Sequence, residues 1–371
     1  MIDWFLLLEW TIKSALIIGT LLGGFAYMTW TERRFAALLQ QRHGPNRAGP
    51  FGLLLPMADG IKLIMKEELI PAGADKAIFV LAPILTVVPA LIIMATVPWG
   101  PTVTIFGRQV SLGLADLNVG LLYILAVASI AVYGVALAGW SSNNKYTLLG
   151  GLRSAAQMVS YELSLGLSVL GPLMLTGSMT MSAIVDRQKS VWLILLQPVA
   201  ALVFYLSTLA EVNRAPFDIP EAEQELTGGY HTEYSGMKFA LFFMAEYIKM
   251  IAVSSIFTTL FLGGWHGPFV EQIPWLGLLY FTAKNMVLLL VMIWIRSTVP
   301  RVRYDQLMSL GWKRLFPTAL ANVVVTAGVL LLPAPAWWIV LSIWNVLILA
   351  FMLASPLNLE RRPAAAARAR S

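Results

Sequence analysis

Glu162, Glu211, Glu246 and Lys249 are the side chains best placed for chemistry, because each lies within or at the end of a long apolar stretch. An ionisable group inside a bilayer is costly, so it points to a buried partner or to an ion path. Glu162 stands in QMVSYE, Glu211 closes VFYLSTLAE, and Glu246 and Lys249 belong to AEYIK. Three residues apart, Glu246 and Lys249 are expected to be neighbours on one helix face. Two uses fit such a pair. One is a structural ion pair that neutralises itself. The other is a proton relay, in which desolvation lets a carboxyl bind and release protons near neutral pH.

A second concentration of acids follows Glu211, in AEVNRAPFDIPEAEQELTGGYHTEYSGMKF. Asp218, Glu221, Glu223, Glu225 and Glu233 gather there around Arg214. In a helix, Asp218, Glu221 and Glu225 share a face. Asp218 with Glu221 is also a plain capping-box pattern, but that pattern does not require Glu223, Glu225 and Glu233. Carboxylates crowded near a membrane repel one another, so some are expected to hold protons near pH 7 and to form an acidic funnel. A solvated acidic loop is the simpler alternative.

The elements that must hold these groups follow from composition. The chain has 371 residues, of which 58% are hydrophobic and 12% charged; charged residues make up about a quarter of a soluble protein. Its apolar runs are continuous and about twenty residues long, as a membrane-spanning helix requires, and they lack the alternation of a membrane strand. The reading is an all-α polytopic membrane protein with nine spans, near 4–30, 76–97, 119–139, 156–177, 191–212, 237–263, 276–299, 317–333 and 336–355. The break at Pro333–Pro335 separates the last two spans or kinks a single re-entrant segment. With the N-terminus outside, the segments assigned to the cytoplasm take 20 of the 26 Lys and Arg residues, which sets the orientation. The membrane domain is expected over 1–355, followed by a basic, disordered tail over 356–371. Asp3 and Glu9 stand where a cleavable signal would carry basic residues.

Cysteine is absent, so the chain itself can hold no iron–sulfur cluster or disulfide. Its three histidines, His43, His231 and His266, are far apart in sequence, which argues against a haem or zinc site. GxGxxG and Walker A motifs are also absent. Any redox reaction served by this chain must therefore run its electrons through another polypeptide. A pI near 9.5 does not imply nucleic acid, since the bases flank membrane spans.

The segment Glu32–Pro71 is wedged between two apolar runs and reads as a water-exposed loop. It opens on the charge triplet Glu32-Arg33-Arg34 at a helix end, turns at Gly44-Pro45-Asn46-Arg47, and continues as an amphipathic helix over 52–68. Three blocks, ERR…GPNRAGPFGLLLPMADGIKLIMKE, GWSSNNKYTLLGGLRSAAQMVSYE and AEVNRAPFDIPEAEQELTGGYHTEYSGMKFALFFMAEY, resemble in order the cytoplasmic blocks of the H subunit of proton-pumping NADH-quinone oxidoreductase, respiratory complex I. The resemblance covers essentially 1–355; Leu55 stands where that family often has Gln, and the tail lies outside the shared core.

This resemblance implies a subunit at the junction of the membrane and peripheral arms of a bacterial inner-membrane complex. Its loops would wall a tunnel for the substrate quinone and couple quinone reduction to proton movement. No catalytic residue or metal is implied on this chain, and FMN and iron–sulfur clusters would belong to partner subunits. Carried over by position, Trp30, Arg33, Arg34, Arg47, Asp59 and Phe217 would lie near the tunnel. Glu162, Glu211, Arg214, Asp218, Glu221, Glu223, Glu225, Glu233 and Glu246 would mark the proton path, to which the intramembrane reading adds Lys249. A related membrane-bound hydrogenase or formate hydrogenlyase subunit is the alternative within the family. A stand-alone ion transporter is the alternative outside it.

Overall fold

The computed structural model describes residues 4–105, 107–219, 228–333 and 336–354. Among them the architecture is helical, with one two-stranded antiparallel ribbon of β1 (Val103–Ile105) and β2 (Arg108–Val110). Helices predominate because a helix pairs its backbone N–H and C=O groups within itself, where lipid offers no partners. Six helices are long and apolar enough to cross a membrane. They are α1 (Trp4–Leu39), α3 (Lys76–Ile93, with one further tight turn), α4 (Gly120–Ser141), α5 (Lys145–Thr176), α9 (Gly236–Phe261) and α10 (Trp275–Thr298). A shorter helix, α2 (Leu55–Met65), lies in the first loop, and α6 (Met181–Arg187) follows α5.

The other three expected spans are shorter or interrupted. Helix α7 (Leu193–Leu196) stops at Gln197, and α8 (Pro198–Glu211) restarts the run, since Pro198 cannot donate into the preceding turn. The broken ladder is repaired from elsewhere. Asn345 donates to Leu196 O at 3.0 Å and accepts from Val199 N at 3.4 Å, while the Gln197 side chain bridges Asn322 and Thr326 at 2.8 and 2.9 Å. Helix α11 (Tyr304–Leu310) runs through one wide turn at Gly311–Leu315 into α12 (Phe316–Val329). After a turn at Leu330–Leu332, α13 (Ala336–Ala354) packs against α12, so Pro333 lies between two helices.

Several boundaries differ from the sequence reading. The triplet Glu32-Arg33-Arg34 is inside α1, because the helix continues to Leu39 after its apolar run has ended. Helix α5 begins at Lys145, and Asn144 caps it by accepting from Tyr146 N at 3.0 Å; Glu162 is therefore deep within the helix. The amphipathic helix is shorter than expected, leaving Lys66 and Glu67 beyond its end.

The loop after α8 is held by a second proline repair. Pro83, inside α3, has no N–H for the carbonyl of Phe79. The Tyr234 hydroxyl donates to that carbonyl at 3.2 Å, and its ring stacks on Phe79 at 4.0 Å and 2°. Burial holds the Tyr234 pKa up at about 12, so the hydroxyl keeps its proton. On the other side of the same loop, Gly150 of α5 meets Gly229, leaving no room for a side chain.

A Cβ at Gly150 would lie 2.6 Å from Gly229 Cα, whereas one at Gly166 of the same helix meets nothing within 4 Å. Gly150→Ala is therefore expected to reduce accumulation of the protein in membranes, and Gly166→Ala to leave it intact. Equal immunoblot levels for the two variants would refute this seating of the loop.

Candidate functional site

Helices α1, α9 and α10 converge on a buried charge cluster centred on Arg214, which lies in the loop after α8. Arg214 Nη1 donates to both carboxylate oxygens of Glu32, at 2.9 and 3.1 Å, and its Nε lies 2.5 Å from Glu246 Oε1. Its guanidinium also covers the Tyr247 ring at 4.4 Å, and the Tyr247 hydroxyl donates to Glu32 Oε2 at 2.7 Å. Arg296, near the end of α10, is the second base on Glu32. Glu32 and Arg214 are 8% and 4% exposed. Burying charge is tolerable only when it is paired and hydrogen-bonded. Two carboxylates against two guanidiniums supply the pairing, and Glu32 is also hydrogen-bonded to Arg214 and Tyr247.

The expected pairing of Glu246 with Lys249 is not formed. Glu246 is taken by Arg214, while Lys249, one turn further along α9, makes no ion pair within 4 Å among the described residues. Spacing along one helix put the two residues on neighbouring positions, but a guanidinium from another segment reaches the carboxylate first. Lys249 instead lines two small cavities. The first, about 30 Å³, is walled by Glu211, Glu246, Lys249, Asn213, Tyr230 and His231. The second, about 40 Å³ and mostly apolar, is walled by Glu162, Glu211, Lys249, Phe204 of α8 and aliphatic side chains of α3, α4, α5 and α9. A cavity of that size holds a water molecule or two. Glu211, Val212 and Lys249 are common to both walls. Glu162 also accepts a hydrogen bond from Ser129 of α4.

On the other flank of α9 lies a larger groove of about 410 Å³, bounded by α1, α2 and α9. Its lining is mainly apolar, with Phe25, Leu63, Ile64, Phe243 and Met244, and it includes Tyr247. Arg33 and Asp59, paired at 3.2 Å, supply charge on its wall. Phe243 borders both the groove and the first cavity.

The structure thus brings Arg33 and Asp59 to the groove and Glu162, Glu211, Glu246 and Lys249 to the cavities. It places other candidates elsewhere. Trp30 and Arg34 both donate to Phe51 O, at 3.1 and 3.0 Å, and Arg34 stacks over Trp30 and Phe51, which ties the first loop to α1. Arg47 is exposed and does not line the groove. Phe217 is buried against Tyr161, with its carbonyl accepting from Gln157 at 2.9 Å. Asp218 pairs with Arg301 at 3.4 Å, and Glu233 accepts from Asn144 at 2.7 Å. Glu221, Glu223 and Glu225 lie outside the described residues. Glu32, Tyr247, Arg296 and His231 are the participants that sequence reading did not single out. Glu32 is the one acid in its charge triplet, and Arg214 the one Lys or Arg between Glu211 and Glu233; that mutual exception was the available signal. Among the described residues, no group of three or more His, Asp or Glu side chains is placed to hold a metal ion.

Removing Arg214 would strand the buried Glu246 carboxylate and leave Glu32 to Arg296 and Tyr247, at a cost of about 3–5 kcal/mol. Arg214→Leu is expected to abolish accumulation of the protein, whereas Lys249→Met should accumulate without a compensating change at Glu246. Loss of both variants to a similar degree, measured in isolated membranes, would contradict this assignment of partners.

The family described as NADH dehydrogenase matches residues 12–327. The H subunit (number 1) of the NADH-quinone oxidoreductase of Geobacter metallireducens is 54% identical over 320 residues, covering 86% of this chain and 96% of the relative. The H subunit (number 2) of the same enzyme in Geobacter sulfurreducens is 55% identical over 319 residues, covering 86% and 95%. In Thermomicrobium roseum, the protein named as the H subunit of NADH-quinone oxidoreductase is 49% identical over 334 residues, covering 87% and 96%. The chain belongs to the NADH dehydrogenase family, among relatives named as H subunits of NADH-quinone oxidoreductase.

Proposed function

We propose that this chain is the membrane-arm subunit of a proton-translocating NADH:quinone oxidoreductase, where it forms the quinone path and couples quinone reduction to proton movement. The observation that carries the reading is the position of Arg214. One guanidinium holds Glu32, which is bonded to the groove residue Tyr247, and Glu246, which lines the first acid cavity. The groove suits an amphipathic ligand, because its walls are apolar while Arg33, Asp59 and the Tyr247 hydroxyl offer polar contacts. Quinone is the substrate; flavin and iron–sulfur chemistry belongs to partner subunits, with the peripheral quinone module docking on the loop side. The names of the relatives favour this reading over the hydrogenase branch.

Reduction of a quinone to a quinol takes up two protons and passes through states with added negative charge. Charges about 4 Å apart interact by about 4 kcal/mol at intermediate dielectric. A new negative charge near Tyr247 and Glu32 therefore competes with Glu246 for Arg214, and a released Glu246 is free to take a proton in its cavity. From there Glu211, Lys249 and Glu162 continue the path along the two cavities. Glu221, Glu223, Glu225 and Glu233 complete it as an acidic approach from the loop. The location is a bacterial cell membrane with the N-terminus outside and the main loops cytoplasmic, as the distribution of Lys and Arg favours.

Two measurements on the assembled complex test the two halves of this reading. Ala240 of α9 lines the groove, so Ala240→Trp should fill it and raise the KM for quinone severalfold, while NADH oxidation by a water-soluble acceptor persists. Native quinone kinetics would place the substrate elsewhere. Glu211→Gln is nearly isosteric but cannot ionise, so the number of protons moved per NADH is expected to fall; an unchanged ratio would remove Glu211 from the path.

A further inference from the structure

We propose that His231 is a proton-relay imidazole serving the first acid cavity, a role resting on the proton path inferred above. Its ring joins Glu211, Glu246, Lys249, Asn213 and Tyr230 in lining that cavity. Aromatic rings pack around it: Tyr230 at 5.0 Å, Phe239 at 5.5 Å and Phe243 at 6.3 Å between ring centroids. Within this box, Nδ1 is buried and has no hydrogen-bond partner among the described residues. Packing alone gives no reason for that arrangement. A phenylalanine would fill the box without the cost of a buried, unsatisfied polar atom, about 1–3 kcal/mol.

The loop is built to hold the ring in place. Tyr234 N donates to the His231 carbonyl at 3.0 Å, and Tyr234 is itself fixed on Phe79. On the preceding side, Gly229 is pressed against Gly150. Burial lowers the His231 pKa to about 4, so the imidazole is neutral at neutral pH. A neutral imidazole has one donor and one acceptor nitrogen. One nitrogen takes a proton from protonated Glu246 through a water in the cavity as the other releases its own through a water to Glu211. The ring is neutral before and after, in the opposite tautomer, and return of the tautomer resets it. No electron moves in this step. Phe239 and Phe243 also line the quinone groove, so the relay stands directly behind the groove wall.

The test uses the whole complex in inverted membrane vesicles, with NADH oxidation by quinone and proton uptake measured together. His231→Phe keeps a flat ring in the aromatic box, and the expected result is assembly with loss of proton uptake per NADH oxidised. In His231→Ala, added imidazole is expected to restore that uptake, which a packing defect would not predict. A native ratio in His231→Phe, or an assembled His231→Ala that imidazole does not rescue, overturns the relay while leaving the proposed function standing. Failure of both variants to assemble makes the ring a packing element and overturns it equally. Parent vesicles that show no quinone-dependent proton uptake would overturn both.

Discussion

The guanidinium of Arg214 holds two carboxylates in a place where none of the three charges would be stable alone. Much of the architecture follows from that requirement. Helix α1 has to run past its apolar stretch as far as Leu39, because Glu32 lies beyond the membrane run and still has to reach the cluster. Helix α10 ends close enough to bring Arg296 to the same carboxylate. The loop after α8 must fold back toward α9, since Glu246 and Tyr247 both meet Arg214. Such a cluster is weak evidence for stability, because desolvation offsets most of the attraction. Its value lies in geometry: two acids share one base, so a change in charge at either acid is felt by the other.

A second constraint comes from the absence of water around the spans. Each proline that interrupts a helix frees a carbonyl, and at Pro83 and Pro198 the repair brings a side chain from a distant segment. Tyr234 answers the gap made by Pro83, and Asn345 answers the break at Pro198. These repairs act as locks on the tertiary structure. The first also sets the loop carrying Tyr230, His231 and Glu233, and Asn144 at the α4–α5 turn fixes Glu233 from the other side. The helix irregularities and the position of the acidic loop are thus one problem with one solution.

Helix α9 divides the two working regions. Tyr247 and Met244 turn toward the groove, Glu246 and Lys249 toward the cavities, and Phe243 borders both. Neighbouring residues on a helix point in different directions, so two adjacent positions suffice to present a phenol to one side and a carboxylate to the other. Arg214 reconnects the two sides outside the helix. Coupling across such a partition needs no large displacement; it needs only that one cation cannot satisfy both neighbours equally when a third charge arrives.

The membrane class, the existence and rough limits of the long helices, the short helix of the first loop and the family resemblance were all legible in the sequence. Hydropathy and helix length are local free energies, set by about twenty consecutive residues at a time. Glu162, Glu211, Glu246 and Lys249 could be picked out for the same reason, as charges in stretches that disfavour them. Their partners could not. Sequence spacing offered Lys249 to Glu246, because only neighbours on the same helix are visible in one dimension. The actual partner, Arg214, comes from the preceding loop, and Glu32 meets Arg214 across a sequence separation of 182 residues. A buried ion pair is decided by which groups the fold brings within about 3 Å and shields from water, and only the tertiary structure holds that information.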